Sequence, residues 1–488
     1  MRPSRRKRVA IAAAVLVAAA AVLVTTRIGD GGGASGRGVT IATTTRTNII
    51  VILTDDQRWD TLWSMPNVQR LLVHHGATFA NSFVSNPLCC PSRATILTGN
   101  YSHTNRVYDN HPPHGGAPVF KAHGDDRSTI ATWLHADGYA TGLFGKYLNS
   151  YTGGVPPGWD RWVAFDYEPD YHPFYVFTNL PGRCPGRPAC RLKHEVSYYS
   201  TKFFGNMARS FIDRAPARKP VFVYYAPYAP HLPSFPQIAY ANRFTNLKPF
   251  HPPSYNEKDV SDKPPWIRSQ PRFDQVQGAQ ILAAREAEYQ TLITVDNEVG
   301  DIVDALKATH RLAHSVILFA SDNGVTWGEH RLRVGSKQLP YDEAIRVPLV
   351  VRYEPYTTHP FTDRHLVVNT DWAPTLASIA GASHPAVDGR SFLPLLKRRR
   401  PSPAWPTQFL LEHMDGNPPS LAPDFCGIRS TGFMYARYTG GFEELYNVKA
   451  DPFELRNIAR EPSQAGELAH MRLLTKRECN PPPPGYKP

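Results

Sequence analysis

The chain has 488 residues, a length that allows a sizeable core and two or three domains. Its formal net charge of +12 comes partly from a basic N-terminal arm, so the rest of the chain is less basic than the total suggests. A basic surface attracts polyanions, but no nucleic-acid-binding motif accompanies this charge, and we exclude nucleic acid as a partner.

Residues 1–45 have the pattern of an export signal or anchor followed by a Gly-rich linker. An unbroken apolar run over 9–24 follows five basic residues and precedes the Gly-rich stretch 29–38. The run is shorter than the ~20 residues of a typical spanning helix, yet no Ala-x-Ala cleavage site closes it, so an uncleaved membrane anchor is the alternative. In both cases the remainder is expected to work outside the cytoplasm, secreted or anchored to the cell envelope.

The first predicted strand ends in two acidic residues. Residues 48–53 form a continuous apolar, β-branched run, which is typical of a central strand in a sheet covered on both faces. Asp55 and Asp56 follow at its carboxyl end, where open α/β sheets bind their ligands. Two adjacent carboxylates repel each other unless a cation lies between them, and their oxygens suit Ca²⁺ or Mg²⁺. The alternative is that they cap a helix before Arg58.

A thiol, a proline and a guanidinium lie together in residues 87–99. The pattern predicts a helix that begins near Ser92 and places Cys89 and Arg93 at its N-terminal end. A helix N-terminus and a neighbouring arginine lower the pKa of a thiol, which makes Cys89 a candidate nucleophile. The alternative is that Cys89 and Cys90 are small buried side chains, with Pro91 at the first helical position.

Two further predicted strands end in basic groups. Residues 138–149 are expected to form a strand whose terminal turn exposes Lys146, and residues 221–225 a strand that a proline stops before His231. Both groups are expected at the same edge of the sheet as Asp55 and Asp56. Taken alone, each has a structural alternative, a solvated turn for the lysine and a core position for the histidine.

One more strand completes the acidic set. Residues 315–321 form an apolar run that delivers Asp322 and Asn323 to this edge. Their side-chain oxygens would complete a hard-cation site with Asp55 and Asp56. An Asp-Asn-Gly turn without a ligand is the alternative. Three strand ends that carry suitable groups favour the cation site.

The remaining pattern predicts the overall architecture. Amphipathic segments predict helices over 68–74, 129–135 and 279–310, and a helix that starts within 369–376. The Tyr-, Pro- and Gly-rich residues 167–194 are expected to form a loop near the pocket, and residues 250–271 a long surface loop. We expect an α/β catalytic domain over 46–400, built on a large mixed, mostly parallel sheet sandwiched by helices. Residues 401–488 are expected to form a small C-terminal subdomain with an antiparallel sheet, followed by the tail.

The chemistry-bearing stretches resemble those of the sulfatase family, within the alkaline phosphatase superfamily. Cys89-Cys-Pro-Ser-Arg93, followed by Leu97-Thr-Gly99, matches the family signature at every fixed position, and Ser321-Asp-Asn-Gly324 is typical of the same family. Gly145-Lys-Tyr-Leu-Asn149 and Gly99-Asn-Tyr-Ser-His103 are similar to the N-acetylglucosamine-6-sulfatase and extracellular endosulfatase branch. The resemblance covers residues 48–460.

The resemblance implies a formylglycine-dependent sulfuric ester hydrolase. In this family the first cysteine of the signature, here Cys89 and not Cys90, is oxidised by a formylglycine-generating enzyme to Cα-formylglycine, whose hydrated aldehyde attacks sulfur. The implied substrate is a sulfated carbohydrate, such as 6-O-sulfated N-acetylglucosamine, or an aryl sulfate ester, and the implied cofactor is Ca²⁺, with Mg²⁺ or Mn²⁺ as alternatives. The implied site comprises Cys89, Arg93, Lys146, His231 and Lys337 for catalysis, Asp55, Asp56, Cys89, Asp322 and Asn323 for the metal, and His103, Asn149 and His330 for substrate binding.

One residue departs from the family pattern, and two alternative functions stay open. Many sulfatases carry a histidine where this chain has Leu148, so one acid/base role is unassigned, with His103 and His330 as candidates. The first alternative function is a phosphonate monoester or phosphodiester hydrolase of the same superfamily, because relatives with the same modified cysteine cleave those esters. The second is a non-catalytic protein that binds sulfated glycans and keeps Cys89 unmodified. The basic run 397–400 is expected to be a solvated loop, although it would attract a polyanion.

Six cysteines in an exported chain suggest disulfides. With Cys89 assigned to chemistry and Cys90 beside it, four cysteines remain and their pairing is open. Cys184 with Cys190 would close a small loop, and Cys426 with Cys479 would fasten the tail. In the loop-entropy model these bonds would contribute about 2 and about 4 kcal/mol.

Overall fold

The computed structural model describes residues 46–194, 198–401, 403–416 and 420–488. In this part of the chain the strands form a ten-stranded sheet and a four-stranded sheet. The predicted N-terminal signal or anchor and its linker, residues 1–45, lie outside the described residues. The large sheet contains β1 Asn48–Thr54, β2 Ala77–Phe83, β3 Ala140–Gly145, β4 Arg161–Phe165, β5 Phe174–Thr178, β6 Cys190–His194, β7 Val221–Ala226, β8 Ser315–Ser321, β9 Leu349–Tyr353 and β10 Phe361–Val368.

The middle of the large sheet is parallel. Its strand order is β10-β2-β9-β8-β1-β7-β3-β4-β5-β6, and every pair from β8 to β4 runs parallel, whereas the antiparallel pairs flank this centre. The carboxyl ends of β8, β1, β7 and β3 therefore lie side by side at one edge. This arrangement confirms the predicted mixed, mostly parallel sheet and brings the polar strand ends together.

Helices cover both faces of the large sheet. The α-helices are α1 Pro66–Leu71, α2 Cys89–Thr98, α3 Ser102–Asn105, α4 Gly116–Ala122, α5 Ile130–Ala136, α6 Ser200–Arg214, α7 Pro265–Arg268, α8 Gln275–Ala308, α9 Asp342–Ile345, α10 Glu354–Thr357, α11 Trp372–Ala380, α12 Leu393–Leu396 and α13 Ala465–Glu478. Short 3₁₀-helices span Leu62–Ser64, Val73–His75, Asp125–Arg127, Ile238–Tyr240, Leu312–His314, Asn369–Asp371 and Pro462–Gln464. No helix among the described residues combines the length and apolarity needed to cross a bilayer.

The central strand β1 shows why two layers of helices form. Its apolar side chains alternate, because successive residues of a strand point to opposite faces. Ile49, Val51 and Leu53 join an apolar cluster with α2, α5 and α11, whereas Ile50 and Ile52 join a second cluster with α1, α6 and α8. The continuous apolar run in the sequence is thus the signature of a strand buried on both faces.

A separate antiparallel sheet follows toward the C-terminus, as predicted. Its strands, in the order β11-β12-β13-β14, are β11 Gln408–His413, β12 Phe425–Ser430, β13 Phe433–Tyr438 and β14 Glu443–Asn447. The buried carboxyl group of Glu444 accepts hydrogen bonds from Tyr341, Tyr438 and Tyr446 at 2.6–2.7 Å. Because Tyr341 precedes α9, these bonds fasten the small sheet to the chain that carries Lys337. The domain boundary at residue 400 stays a prediction.

Residues 167–194 differ from the expected loop. They contain β5 and β6, which pair antiparallel and extend the edge of the large sheet. The burial of alternate residues in β5 is that of an ordinary strand, which the surrounding Tyr, Pro and Gly residues concealed in the sequence. Both expected disulfides are present, Cys184–Cys190 beside this hairpin and Cys426–Cys479 between β12 and the end of α13.

Candidate active site

Acidic side chains from two neighbouring strands meet at the carboxyl edge of the sheet. Asp55 and Asp56 follow β1, and Asp322 and Asn323 follow β8, which pairs parallel with β1 in full register. The backbone N–H of Asp56 donates to Oδ1 of Asp322 at 3.1 Å, and Nδ2 of Asn323 donates to Oδ1 of Asp56 at 2.7 Å. All four residues are buried. They lie together at this edge, as the predicted order of strands and polar residues suggested.

The backbone of Asp56 leaves the strand in the left-handed region. Its φ of +66° is uncommon for a residue with a Cβ, although aspartate tolerates this region better than most residues. This conformation points the carboxylate away from the direction of β1 and toward Asn323 and Lys337. Unusual backbone conformations of this kind are frequently found at functional sites.

Cys89 lies at the first position of α2 and reaches these carboxylates. Its Sγ lies 3.5 Å from Oδ1 of Asp55 and 3.9 Å from Oδ1 of Asp56. The helix begins at Cys89 and not near Ser92 as predicted. Pro91 is tolerated inside the first turn because the first four N–H groups of a helix have no partner within it. Cys89 is therefore at the N-terminus itself, and Pro91 is not the first helical residue.

Two lysines contact the acidic pair. Nζ of Lys146 lies 2.5 Å from Oδ2 of Asp55, and Nζ of Lys337 lies 2.6 and 2.8 Å from the two carboxylate oxygens of Asp56. Gly145 explains the position of Lys146, because β3 approaches β7 so closely there that a Cβ on Gly145 would lie 1.9 Å from the carbonyl oxygen of Ala226. Lys146 therefore lies at the edge where the sequence placed it, and Lys337, named through the resemblance, lies there too, whereas their catalytic roles stay predictions.

Arg93 joins the same group from one turn into α2. Its Nε donates to Oδ2 of Asp322 at 2.7 Å, and its Nη1 donates to the carbonyl oxygen of Lys146 at 2.9 Å. Its Nη2 lies 3.8 Å from Asp55 and has no hydrogen-bond partner in the described part of the chain. This buried guanidinium therefore retains donor capacity beside the carboxylates.

His231 reaches the cluster from the segment after β7. That segment continues beside the end of β1, where the N–H of Asp55 donates to the carbonyl oxygen of Ala229 at 3.3 Å. Nε2 of His231 lies 3.5 Å from Oδ2 of Asp56, and Nδ1 lies 2.5 Å from the carbonyl oxygen of Leu232. Its neighbour Tyr228 stacks on the imidazole with ring centroids 4.6 Å apart.

Burial and opposite charges compete in setting the protonation of the site. Burial would raise the pKa of Asp55, but Lys146, His231, Arg93 and Lys337 outweigh it and hold the pKa of this carboxyl below its usual range. Burial raises the pKa of Asp322 to about 7, although Arg93 opposes the change.

The thiol of Cys89 behaves differently from the expectation. Burial raises the pKa of the thiol to about 12, despite the opposing effect of Lys146 and Lys337. The expected lowering of its pKa by the helix N-terminus and Arg93 is therefore wrong, because desolvation of the thiolate exceeds these effects. An unmodified Cys89 keeps its proton at neutral pH.

The donor set fits a hard divalent cation. Ligand atoms of Asp55, Asp56, Cys89 and His231 all lie within 4.8 Å of one another. Oδ1 of Asn323 is buried and has no hydrogen-bond partner among the described residues, as expected of an oxygen reserved for a ligand. Asp322 is connected to this group through its hydrogen bonds with Asp56 and Arg93. His231 belongs to this group of candidate ligands, although the predicted ligand set did not include it.

The three predicted substrate-binding residues lie outside the hydrogen-bond network of the acidic cluster in the described part of the chain. Nδ1 of His103 lies 3.1 Å from Glu412, and Nδ1 of His330 lies 2.7 Å from Glu257 in a fully buried position. Oδ1 of Asn149 is buried without a partner in the described part of the chain. Within the described residues, no hydrogen bond or ion pair joins these side chains to the acidic cluster, so their roles stay predictions, as does the role left open by Leu148.

Sequence reasoning missed two groups that support the site. Tyr228 contacts both His231 and Lys146, whose Nζ lies 5.8 Å from the ring centroid of the tyrosine. Ser92 donates to the carbonyl oxygen of Asp322 at 2.5 Å and accepts from Asn369 at 3.0 Å. Tyr228 could have been found from its place in the Pro-Tyr-Ala-Pro-His segment, whereas nothing near Asn369 indicated its partner.

Comparisons with known proteins agree with this geometry. The sulfatase family profile matches residues 47–382, and a profile described as N-sulphoglucosamine sulphohydrolase, C-terminal, matches residues 328–478. The extracellular sulfatase SULF-1 homolog of Drosophila melanogaster is 34% identical over 377 residues, which cover 75% of this chain and 33% of that protein. The N-acetylglucosamine-6-sulfatase of Homo sapiens is 30% identical over 498 residues, which cover 90% of this chain and 87% of that protein. The chain thus spans about a third of the first relative and most of the second.

A solved structure has the same fold. It is described as a complex with its substrate D-glucosamine-2-N,6-O-disulfate, and it matches with a TM-score of 0.77 at 23% identity. The match covers 89% of this chain and 98% of that one. The likeness therefore extends over both sheets and is not restricted to the acidic cluster.

Proposed function

Because this chain belongs to the sulfatase family, a family of sulfuric ester hydrolases, we propose that it hydrolyses sulfate monoesters carried by sugars. One observation carries the proposal. Residues from five separate segments, between positions 55 and 337, converge on Cys89 as one buried group of three carboxylates and three cations. Such a group suits a reaction in which negative charge develops on a transferring anion.

The three cations are the proposed ligands of the sulfate group. Arg93, Lys146 and Lys337 carry donors beside residue 89, where the oxygens of a bound sulfate ester would lie. In a buried site each fixed donor stabilises the transition state by on the order of 3 kcal/mol, if it acts like an oxyanion-hole donor. Tight contacts to Asp55 and Asp56 hold the two lysines in place before substrate binds.

His231 is the proposed general acid. Its Nε2 faces the acidic cluster, and Nδ1 is engaged by the carbonyl oxygen of Leu232, which fixes the orientation of the ring. Stacking on Tyr228 restricts it further. A proton carried on Nε2 would pass to the leaving alcohol oxygen, which is the step that a poor leaving group requires.

We propose that Asp55, Asp56, Asp322 and Asn323 hold a divalent cation together with residue 89, with His231 close by. Carboxylate and amide oxygens favour Ca²⁺, with Mg²⁺ or Mn²⁺ as alternatives. Such a cation would supply Lewis-acid stabilisation of the negative charge on the sulfate oxygens. These four residues are buried, Asp56 is hydrogen-bonded to both Asp322 and Asn323, and Asp55 contacts the sulfur of Cys89, so their oxygens would be held close together for the cation.

We also propose that Cys89 is oxidised to Cα-formylglycine by a formylglycine-generating enzyme. The change exchanges sulfur for oxygen and removes two hydrogens, so the aldehyde and its hydrate fit the space of the thiol. Cys90 is buried on the core side of α2 and belongs to the apolar cluster, which favours Cys89 as the modified residue.

The proposed substrate is a 6-O-sulfated glucosamine derivative, reached outside the cytoplasm. The names of two relatives, an N-acetylglucosamine-6-sulfatase and an extracellular sulfatase, support this choice, as does the glucosamine disulfate bound in the similar structure. Because the chain covers only a third of the extracellular relative, its action on whole polysaccharides is part of the proposal and not of the family assignment.

The deciding experiment compares esters on protein co-expressed with a formylglycine-generating enzyme. We expect hydrolysis of N-acetylglucosamine-6-sulfate and 4-nitrophenyl sulfate at higher kcat/KM than a phenyl phosphonate ester, and peptide mass spectrometry should find the aldehyde at position 89. Faster cleavage of the phosphonate would favour the phosphonate monoester hydrolase. An unmodified Cys89 in protein that binds sulfated sugars without turnover would favour the non-catalytic alternative.

A further inference from the structure

Two cavities adjoin on one side of α8 and share a buried arginine. The larger, of 790 Å³, lies against the start of α8, and the smaller, of 390 Å³, is lined by Asp60, Trp63, Lys248 and Trp327 among others. Arg285 and Phe250 line both cavities. Arg285 therefore borders both spaces.

Arg285 has no counter-charge of its own. It is 6% exposed, and no carboxylate oxygen of the described residues lies within 4.0 Å of its nitrogens. Its Nε has no hydrogen-bond partner there, Nη1 has a long contact of 3.4 Å to the carbonyl oxygen of Lys248, and the hydroxyl of Tyr289 is a neutral side-chain group that interacts with the guanidinium. Burial lowers the pKa of Arg285, although Tyr289 and Asp60 oppose this change. Burying a cation without a counter-charge is unfavourable, and an anionic ligand would remove part of that cost.

The neighbouring acids and the second arginine are already engaged. Arg58 forms ion pairs with Asp60 at 3.0 Å and with Glu329 at 2.9 Å. Glu288, one turn along α8 from Arg285, accepts from the indole N–H of Trp327 at 2.9 Å. Arg58 is thus neutralised and Arg285 is not, although both stand against the same aromatic rings.

Aromatic rings frame the guanidinium. The Cζ atom of Arg285 lies 4.7 Å from the ring centroid of Phe250 and 4.8 Å from that of Trp327. Trp63, a residue that is 58% exposed, lines the smaller cavity and packs on Tyr289 with ring centroids 5.1 Å apart. A planar donor fork held between rings matches the bidentate geometry of a sulfate or carboxylate, and an exposed indole provides an apolar face for the ring that carries it.

We propose that Arg285, with Lys248 and the exposed face of Trp63, forms a second anion-binding site that takes a sulfate or carboxylate group on another sugar unit of the substrate. The proposal rests on the proposed function and deepens it, because it makes the substrate a sugar chain with at least two anionic groups. Chain connectivity supports the assignment to one substrate. Asp60 lies four residues after Asp56, a span of at most about 14 Å when fully extended, and Trp327 lies four residues after Asn323.

The test measures binding separately from turnover. Isothermal titration calorimetry measures the Kd for a heparin tetrasaccharide in the Cys89→Ala protein and in the same protein with Arg285→Gln added. We expect at least tenfold weaker binding, about 1.4 kcal/mol, with most of the affinity retained by Arg285→Lys. Arg268→Gln, which removes the same charge from an exposed position on α7 outside both cavities, should change the Kd less than twofold. Equal losses in Arg285→Gln and Arg268→Gln, or no loss in either, would overturn the site.

Further arms identify the anion and separate this proposal from the first. If a carboxyl-reduced tetrasaccharide keeps the dependence on Arg285, the bound group is a sulfate, and if it loses the dependence, the group is a carboxylate. With Cys89 intact, Arg285→Gln should lower kcat/KM for the tetrasaccharide relative to 4-nitrophenyl sulfate at least tenfold, through KM. If the protein hydrolyses no sulfate ester but still binds the tetrasaccharide through Arg285, the proposed function is wrong and the second anion-binding site is supported. Unchanged melting temperature establishes that each variant folds.

Discussion

The ammonium group of Lys337 lies 3.0 Å from the thiol sulfur of Cys89, although 248 positions separate the two residues in the chain. The loop between β8 and α9 carries Lys337 back over the edge of the sheet, where its Nζ also contacts Asp56. Residue 89 is thus flanked by an ammonium on one side and carboxylates on the other. A nucleophile at this position would attack an anion whose charge is already compensated.

Removing the thiol should abolish turnover without unfolding the protein. Cys89→Ala deletes one buried sulfur, so we expect loss of detectable hydrolysis of 4-nitrophenyl sulfate and a fall in unfolding free energy of about 1 kcal/mol. Cys90→Ala is the matched control, because Cys90 is equally buried one residue away but faces the apolar cluster. It should lose similar stability and keep its activity. Kinetic assays with 4-nitrophenyl sulfate measure the activity of both variants, and urea titrations measure their stability. Activity in Cys89→Ala would contradict the assignment of residue 89.

Removing one cation of the site should lower kcat far more than removing a lysine on the surface. Lys337→Ala removes a donor next to residue 89, and we expect kcat for 4-nitrophenyl sulfate to fall by about 10²–10³-fold. Lys307→Ala is the comparison, since Lys307 is half-exposed on α8 and its ammonium group lies 2.9 Å from Asp304 on the same helix. Steady-state kinetics of both variants decide the matter. A change in KM alone for Lys337→Ala would mean that this lysine binds the sulfate without stabilising the transition state.

Loss of one carboxylate should remove the cation together with the rate. Asp55→Asn keeps the size of the side chain but removes a charge that Lys146 contacts at 2.5 Å, so the ligand field weakens. We expect the variant to contain less than a tenth of the metal of the unaltered protein by elemental analysis after dialysis, and to be inactive. Asp304→Asn, at a position 70% exposed, should retain its metal. Full metal content in Asp55→Asn would show that the ligand set is drawn from other residues.

Much of the site followed from the sequence because parallel strands share one carboxyl edge. Asp55, Lys146 and Asp322 each follow a predicted strand, so recognising the strands was enough to bring the three residues together. The signature around Cys89 added the candidate nucleophile. Elimination left four cysteines, which still allow three pairings, and the structure contains the pairing that was considered, Cys184–Cys190 and Cys426–Cys479.

The features that the sequence did not predict share one cause. Each depends on contacts with residues that are distant in the chain. The pKa of the Cys89 thiol depends on burial beneath segments far away in the chain, so the local helix N-terminus and Arg93 predicted the wrong direction. The hairpin of β5 and β6 was missed because its composition suggests turns, whereas pairing with β4 stabilises it as strands. Arg285 belongs to an amphipathic helix, and only the folded chain shows that none of the described carboxylates lies within 4.0 Å of its guanidinium.

The C-terminal sheet should make the protein sensitive to acid through His413. This histidine is fully buried in β11, with Nε2 placed 3.0 Å from Ser420, and burial lowers its pKa from 6.5 to about 4. A histidine with a depressed folded pKa contributes stability that is present above 6.5 and is lost as the pH falls toward 4, because the unfolded chain binds the proton first. Between about pH 7.5 and about pH 5, we expect the unaltered protein to lose about 2 kcal/mol more unfolding free energy than His413→Gln. Urea titrations at both pH values measure the difference, with His310→Gln as the control at an exposed position where the side chain is not desolvated. Parallel losses in the unaltered protein and His413→Gln would mean that His413 is not the residue that senses the acid, since the glutamine takes up no proton in this range.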